Sequence, residues 1–183
     1  VKAIPRLLLA TTLALAGCSA TGDAAETPAP SAQPQASFGG TDLAWIEINI
    51  AMDEQLLPLL ELPPRRTTDP DTLALTTQVK AFTQAELGTL RQLHTRAGLP
   101  TENPHEGMPM PGMVTPEQVT EASKLAGPAF DETVTKHIKE HLVQSQNLAR
   151  SESKSGIEGQ TRQLALQILR TREVSLSTIN TTN

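Results

Sequence analysis

Residues 136–146 read KHIKEHLVQSQ. His137 and His141 stand four apart, which on a helix places them on one face. Such a pair can grip a metal ion. The zinc-hydrolase signature needs Glu between them at the position after the first histidine, and that position is Ile138. The stretch is therefore read as a helix, and the question is what shares its inner face.

Working outward, the helix is expected over about 129–152, with Val134 and Ile138 on its apolar side. Gly127-Pro128 precedes it and Ser155-Gly156 turns the chain into a last helix over about 157–178. Upstream, Thr115-Pro116-Glu117-Gln118 has the form of a capping box opening a short helix to about Ala126. Residues 99–114 form a Pro/Gly/Met linker. Before it, Asp69 as N-cap and Pro70 at the first helical position open a long helix. It carries the stripe Leu75, Val79, Phe82, Leu90, Leu93, Ala97 and stops at Gly98. A first helix is expected over 41–61, with Pro58 kinking its last turn. The spacing predicts two αα-hairpins, about 41–98 and 129–178, forming an all-α four-helix bundle with a short extra helix in the crossover.

The two hairpins repeat weakly. Asp42 is followed at +3 by Trp45 and at +13 by Gln55, and Asp131 likewise by Val134 and Gln144. Glu86-Leu87 answers Glu173-Val174. The region 41–183 holds one Trp, two Phe and no Tyr, so its core must come from aliphatic side chains.

The other end of the chain concerns location. Lys2 and Arg6 flank an apolar run over 7–16 that is too short to span a bilayer. It closes in Leu15-Ala16-Gly17-Cys18, the lipobox pattern, and Cys18 is the sole cysteine. The expectation is a lipoprotein signal peptide over 1–17, lipidation at Cys18, and a disordered tether over 18–40 rich in Ala, Pro, Ser and Gly. The protein would then be anchored to the outer face of a cell membrane by acyl chains such as palmitate. Removing Lys2 and Arg6 takes the formal charge from −5 to −7, which argues against nucleic acid as a partner. No Gly-rich phosphate loop, nucleophile elbow or free thiol marks an enzyme, and none is expected.

The segment GMVTPEQVTEASKLAGPAFDETVTKHIKEHLVQSQ, residues 112–146, resembles the centre of the bacterial domain of unknown function numbered 305. The resemblance covers about 41–178 and implies a ferritin-like helical fold and, often, a lipoprotein signal. In that family each half typically carries a Met-Ile-x-His-His run on its first helix and an Ile-x-x-x-Gln-x-x-Glu-Ile run on its second. Here the first His-His pair falls on Met52 and Asp53, and the second on His141 and Leu142. The glutamates persist as Glu86 and Glu173, while the glutamines fall on Thr83 and Arg170. His137 lies outside the pattern.

Two candidate sites follow. Asp53, Glu86, His141 and Glu173 fall on or beside the stripes of four different helices, with His137 as a further imidazole. Buried charges need a partner or a metal, so the set could hold a divalent ion or satisfy itself as a polar network. The second is the linker HEGMPMPGM, 105–113, with His105, Met108, Met110 and Met113. Thioethers and imidazole suit copper(I), and Pro and Gly would keep the strand open. His94 is expected to be an ordinary helix C-terminal residue. Two functions remain in play: an envelope protein binding or buffering a metal such as copper, or a metal-free degenerate relative serving as a structural or protein-interaction module.

Overall fold

A computed structural model describes residues 37–182. The expected signal peptide 1–17, Cys18 and the tether up to residue 36 lie outside the described residues. Those described form five α-helices, one 3-10 turn at Pro63–Arg65 and no strands: α1 (Gly40–Leu60), α2 (Pro70–Ala97), α3 (Pro116–Ser123), α4 (Pro128–Ser155) and α5 (Gly159–Thr182).

Local chemistry explains the boundaries. Asp69 Oδ2 accepts the Thr72 backbone N–H at 2.7 Å and opens α2. Gly98 closes it at φ 66°, the left-handed cap conformation a Cβ disfavours. Thr115 and Gln118 form the reciprocal capping box of α3. Pro58 brings no N–H to the ladder, and α1 ends two residues later at Leu60. α5 starts at Gly159 rather than 157 because the Glu158 side chain takes the Thr161 N–H at 2.6 Å, the arrangement of an N-cap. α4 runs to Ser155, past the expected 152, and α3 stops at Ser123, short of 126.

α1 packs on α2, α4 on α5, and α1 on α4. Two apolar clusters fill the interior. One gathers Leu56, Leu59, Val79, Phe130, Val134, Ile138 and Leu142. The other gathers Trp45, Ile46, Ile50, Leu87, Leu90, Leu93, Leu164 and Ile168. Each such side chain contributes about 1.5–3 kcal/mol by leaving water.

The clusters sit at opposite ends of every long helix. On α1, Ile50 belongs to one and Leu56 to the other; on α2, Leu87 and Val79; on α4, Ala149 and Leu142; on α5, Ile168 and Ile179. Between these flanking residues lie Asp53, Thr83 and Glu86, Ser145, and Arg172, all buried. A polar layer thus crosses the helices between two greasy ends.

Candidate functional site

The layer is built from one or two turns of each long helix. Asp53 on α1 and His141 on α4 face each other, with Asp53 Oδ1 at 3.6 Å from His141 Nε2. That is an ion-pair approach only if both are charged, and is too long for a hydrogen bond. Burial favours the uncharged form of both groups. Desolvation raises the Asp53 carboxyl well above the usual carboxylate range; Arg172 opposes this, while Glu86 and Glu54 add to it. Desolvation also lowers the His141 imidazole to about 3, helped by Arg172 and countered by the backbone of Gly112. Near pH 7 the His141 ring is neutral, and burial favours the uncharged form of the Asp53 carboxyl facing it. Neither ring nitrogen of His141 completes a hydrogen bond of standard geometry, although the Gly112 backbone lies against the ring.

Glu86 is turned to another partner. Arg172 on α5 is fully buried and grips its carboxylate through Nη2–Oε2 at 2.6 Å and Nη1–Oε1 at 2.9 Å. The same guanidinium donates through Nε to Ser145 Oγ at 3.1 Å and through Nη1 to Thr171 Oγ1 at 3.2 Å. Its central carbon lies 4.5 Å from the centre of the Phe82 ring, a cation–π distance. Burial raises the Glu86 carboxyl, and the charge and bonds of Arg172 pull it back. A two-pronged pair whose guanidinium also donates to two hydroxyls is the arrangement in which a buried ion pair is tolerated.

Of the residues expected to converge, Asp53, Glu86 and His141 do share the layer. Glu173 does not: it is exposed. The inward stripe of α5 runs Ala165, Ile168, Arg172, Ser175, Ile179, at helical spacing, and Glu173 is one residue, about 100° by the helical period, off that stripe. His137 is also outside. It is half-buried at the edge of α4, with Nδ1 3.5 Å from its neighbour Glu140 Oε2. Among the described residues, no three His, Cys, Asp or Glu side chains come together to hold a metal ion. The interior donors do not fit a cation, because the carboxylate that would neutralise it is already bound to Arg172.

The linker is also not an open strand. Asn103 Nδ2 donates to the Glu47 carbonyl at 2.8 Å. Gly112, at φ 74°, brings the loop so close to α4 that a Cβ there would meet the Glu140 carbonyl oxygen at 2.8 Å. Met113 is buried with Met52 and Ala51 of α1, and Met110 packs against them. Met108 points outward and is exposed. His105 is half-buried, and its Nδ1 has no hydrogen-bond partner. So two of the three loop sulfurs are core packing, joined there by a methionine of α1. Arg172 was the functional residue hardest to foresee. The signal available was its place at +4 from Ile168, set against the rarity of buried arginine.

The structure defines an all-helical domain divided by a self-compensated charged layer. The family model of DUF305, a domain of unknown function, matches residues 42–182; the chain belongs to this family. Its fold is similar to a DUF305 protein of Streptomyces coelicolor, a candidate secreted protein, at TM-score 0.68 and 17% identity, over 76% of this chain and 88% of that one. It is similar also to a DUF305 fragment of Deinococcus radiodurans at TM-score 0.70 and 14% identity, over 79% and 96%. At such identities the likeness speaks for the fold alone. No curated protein matches in sequence.

Proposed function

We propose that this chain is an exported, lipid-anchored DUF305 protein whose ferritin-like four-helix bundle acts as a metal-free structural or interaction module. The observation that supports this reading is the Arg172–Glu86 pair. A guanidinium supplies the positive charge that an interior metal would otherwise bring, and burial favours the uncharged forms of Asp53 and His141 beside it. A divalent ion entering this layer would have to displace Arg172 from Glu86. The lipobox at Cys18 and the candidate secretion of the Streptomyces coelicolor relative support export. No described helix is long and apolar enough to cross a membrane; in this proposal attachment is through acyl chains at Cys18.

The test pairs thermal melts of the full chain with and without zinc, iron(II) and copper(I) with membrane fractionation of the wild type and C18S. A ligand that binds only the folded state raises the melting midpoint. The proposal expects unchanged midpoints with zinc and iron(II), and release of C18S from the membrane fraction. A midpoint raised by several degrees on adding zinc or iron would overturn the metal-free interior.

One observation favours a second reading, copper(I) binding at the loop. Met52, Met110 and Met113 bring three thioethers into one cluster, and soft sulfur is what copper(I) selects. Titration with copper(I) against a competing chelator separates the readings. Affinity no better than that of a free methionine-rich peptide removes copper, and loss of tight binding in M113L would establish it.

A further inference from the structure

A second buried charged group lies away from the layer, where the α4–α5 turn meets the start of α1. Asp42 on α1 and Glu152 on α4 are both fully buried. The Asp42 carboxylate accepts backbone N–H groups from Gly39 at 2.6 Å, Ile157 at 3.1 Å and Glu158 at 3.2 Å. It therefore ties the entry of α1 to the turn more than a hundred residues away. Glu152 receives no N–H or hydroxyl donor on either oxygen. Both carboxyls press on the same spot. A Cβ added to Gly156 would meet Glu152 Oε1, would lie 2.6 Å from Glu152 Cδ, and would lie 2.7 Å from Asp42 Oδ1. Two carboxylates cannot occupy such a site side by side while both are ionised.

We propose that Asp42 and Glu152 share a single proton, and that losing it releases the α4–α5 turn from the start of α1. Glu152 is the acid that donates and Asp42 the carboxylate that receives. Burial, then the bond and charge of Asp42, raise Glu152 to about 8. Burial also pushes Asp42 up, but the bond from Glu152 and the N–H groups of Gly39, Glu158 and Ile157 outweigh it and hold Asp42 low. The other charged groups facing the pair are Glu158, which repels it, and Arg162 of α5, which attracts it. Arg96 of α2 occupies Glu158 at 3.3 Å and so shields part of that repulsion. When Glu152 ionises, the two carboxylates repel, and the N–H groups of Ile157 and Glu158 lose a well-placed acceptor. The turn then loosens from residues 37–39, where the described chain enters α1.

The sign follows from proton binding. A Glu152 that keeps its proton when folded and loses it when unfolded makes stability fall as pH rises. The fall begins at the ordinary glutamate value of 4.5 and ends near about 8. One such proton changes the folding equilibrium about tenfold per pH unit inside that window. Asp53 and Glu86 act with the same sign, so the readout is the difference between the wild type and Glu152→Gln, whose amide keeps the bond to Asp42 without titrating. Urea unfolding of the full chain from pH 5 to pH 8 should show a slope one proton shallower in E152Q. In the wild type, the amide shifts of Ile157 and Glu158 should titrate in step with the Glu152 carboxyl carbon by NMR, near pH 8. An E152Q slope equal to the wild type overturns the proposal. Should E152Q fold poorly, the carboxyl titration of the wild type decides alone: a Glu152 carbon that titrates in the ordinary glutamate range overturns it.

Discussion

Arg172 and Glu86 meet at 2.6 Å in the buried interior, an arginine of α5 clamped on a glutamate of α2. Among the described residues, no other ion pair joins α2 to α5. The pair also sets the electrostatics around it: Arg172 opposes the upward shift of the Asp53 carboxyl and disfavours protonation of His141.

Removing one member leaves the other charged and buried. Arg172→Met should therefore destabilise the fold by about 3–5 kcal/mol. Adding Glu86→Leu should restore part of that loss, because two apolar side chains replace two charges. Urea denaturation of R172M, E86L and the double variant checks this. A double variant less stable than R172M would show that the layer holds the helices by something other than this pair.

His141 gives the acid side of the stability profile. Its folded value is lowered to about 3 from 6.5, so the unfolded chain binds the extra proton first. Stability contributed by the neutral ring is complete above about 6.5 and is lost as pH falls toward about 3. The His141 ring should show no protonation step by NMR between pH 5 and pH 8. His141→Gln should flatten the acid limb of the stability curve.

The glycines of the α4–α5 turn should differ sharply. Gly156→Ala drives a methyl into the Glu152 and Asp42 carboxyls at an unstrained φ of −66°. Overpacking of this kind costs about 1–3 kcal/mol. Gly159 has nothing within 4 Å of its would-be Cβ, and Gly159→Ala should be neutral or stabilising by up to about 1 kcal/mol. Paired thermal melts distinguish the two.

The loop methionines should separate in the same way. Met113→Ala opens a hole beside Met52 and should cost about 2–5 kcal/mol. Met108 is exposed, and Met108→Ala should stay within about 0.5 kcal/mol of the wild type. Equal and negligible effects would mean that the linker does not pack.

The helices were legible because their signals are local. Asp69-Pro70 and Gly98 mark the ends of α2, and Thr115 to Gln118 the start of α3, through bonds made within one turn of chain. Stripes such as Val134, Ile138 and Leu142 declare a buried face without reference to any partner. That Asp53, Glu86 and His141 lie inward was readable from the same stripes. Which residue of α5 completes them was not. Glu173 was expected inside because it lies between Leu169 and Leu176 and answers the glutamate of the family pattern, whereas the buried residue is its neighbour Arg172. Only the packing of α5 against α2 and α4 settles it, because Arg172 is stable inside where a carboxylate of α2 and a hydroxyl of α4 reach it together. The Asp42–Glu152 pair was hidden for the same reason: its partners are more than a hundred residues apart, and the space that forces them together is the missing side chain of Gly156.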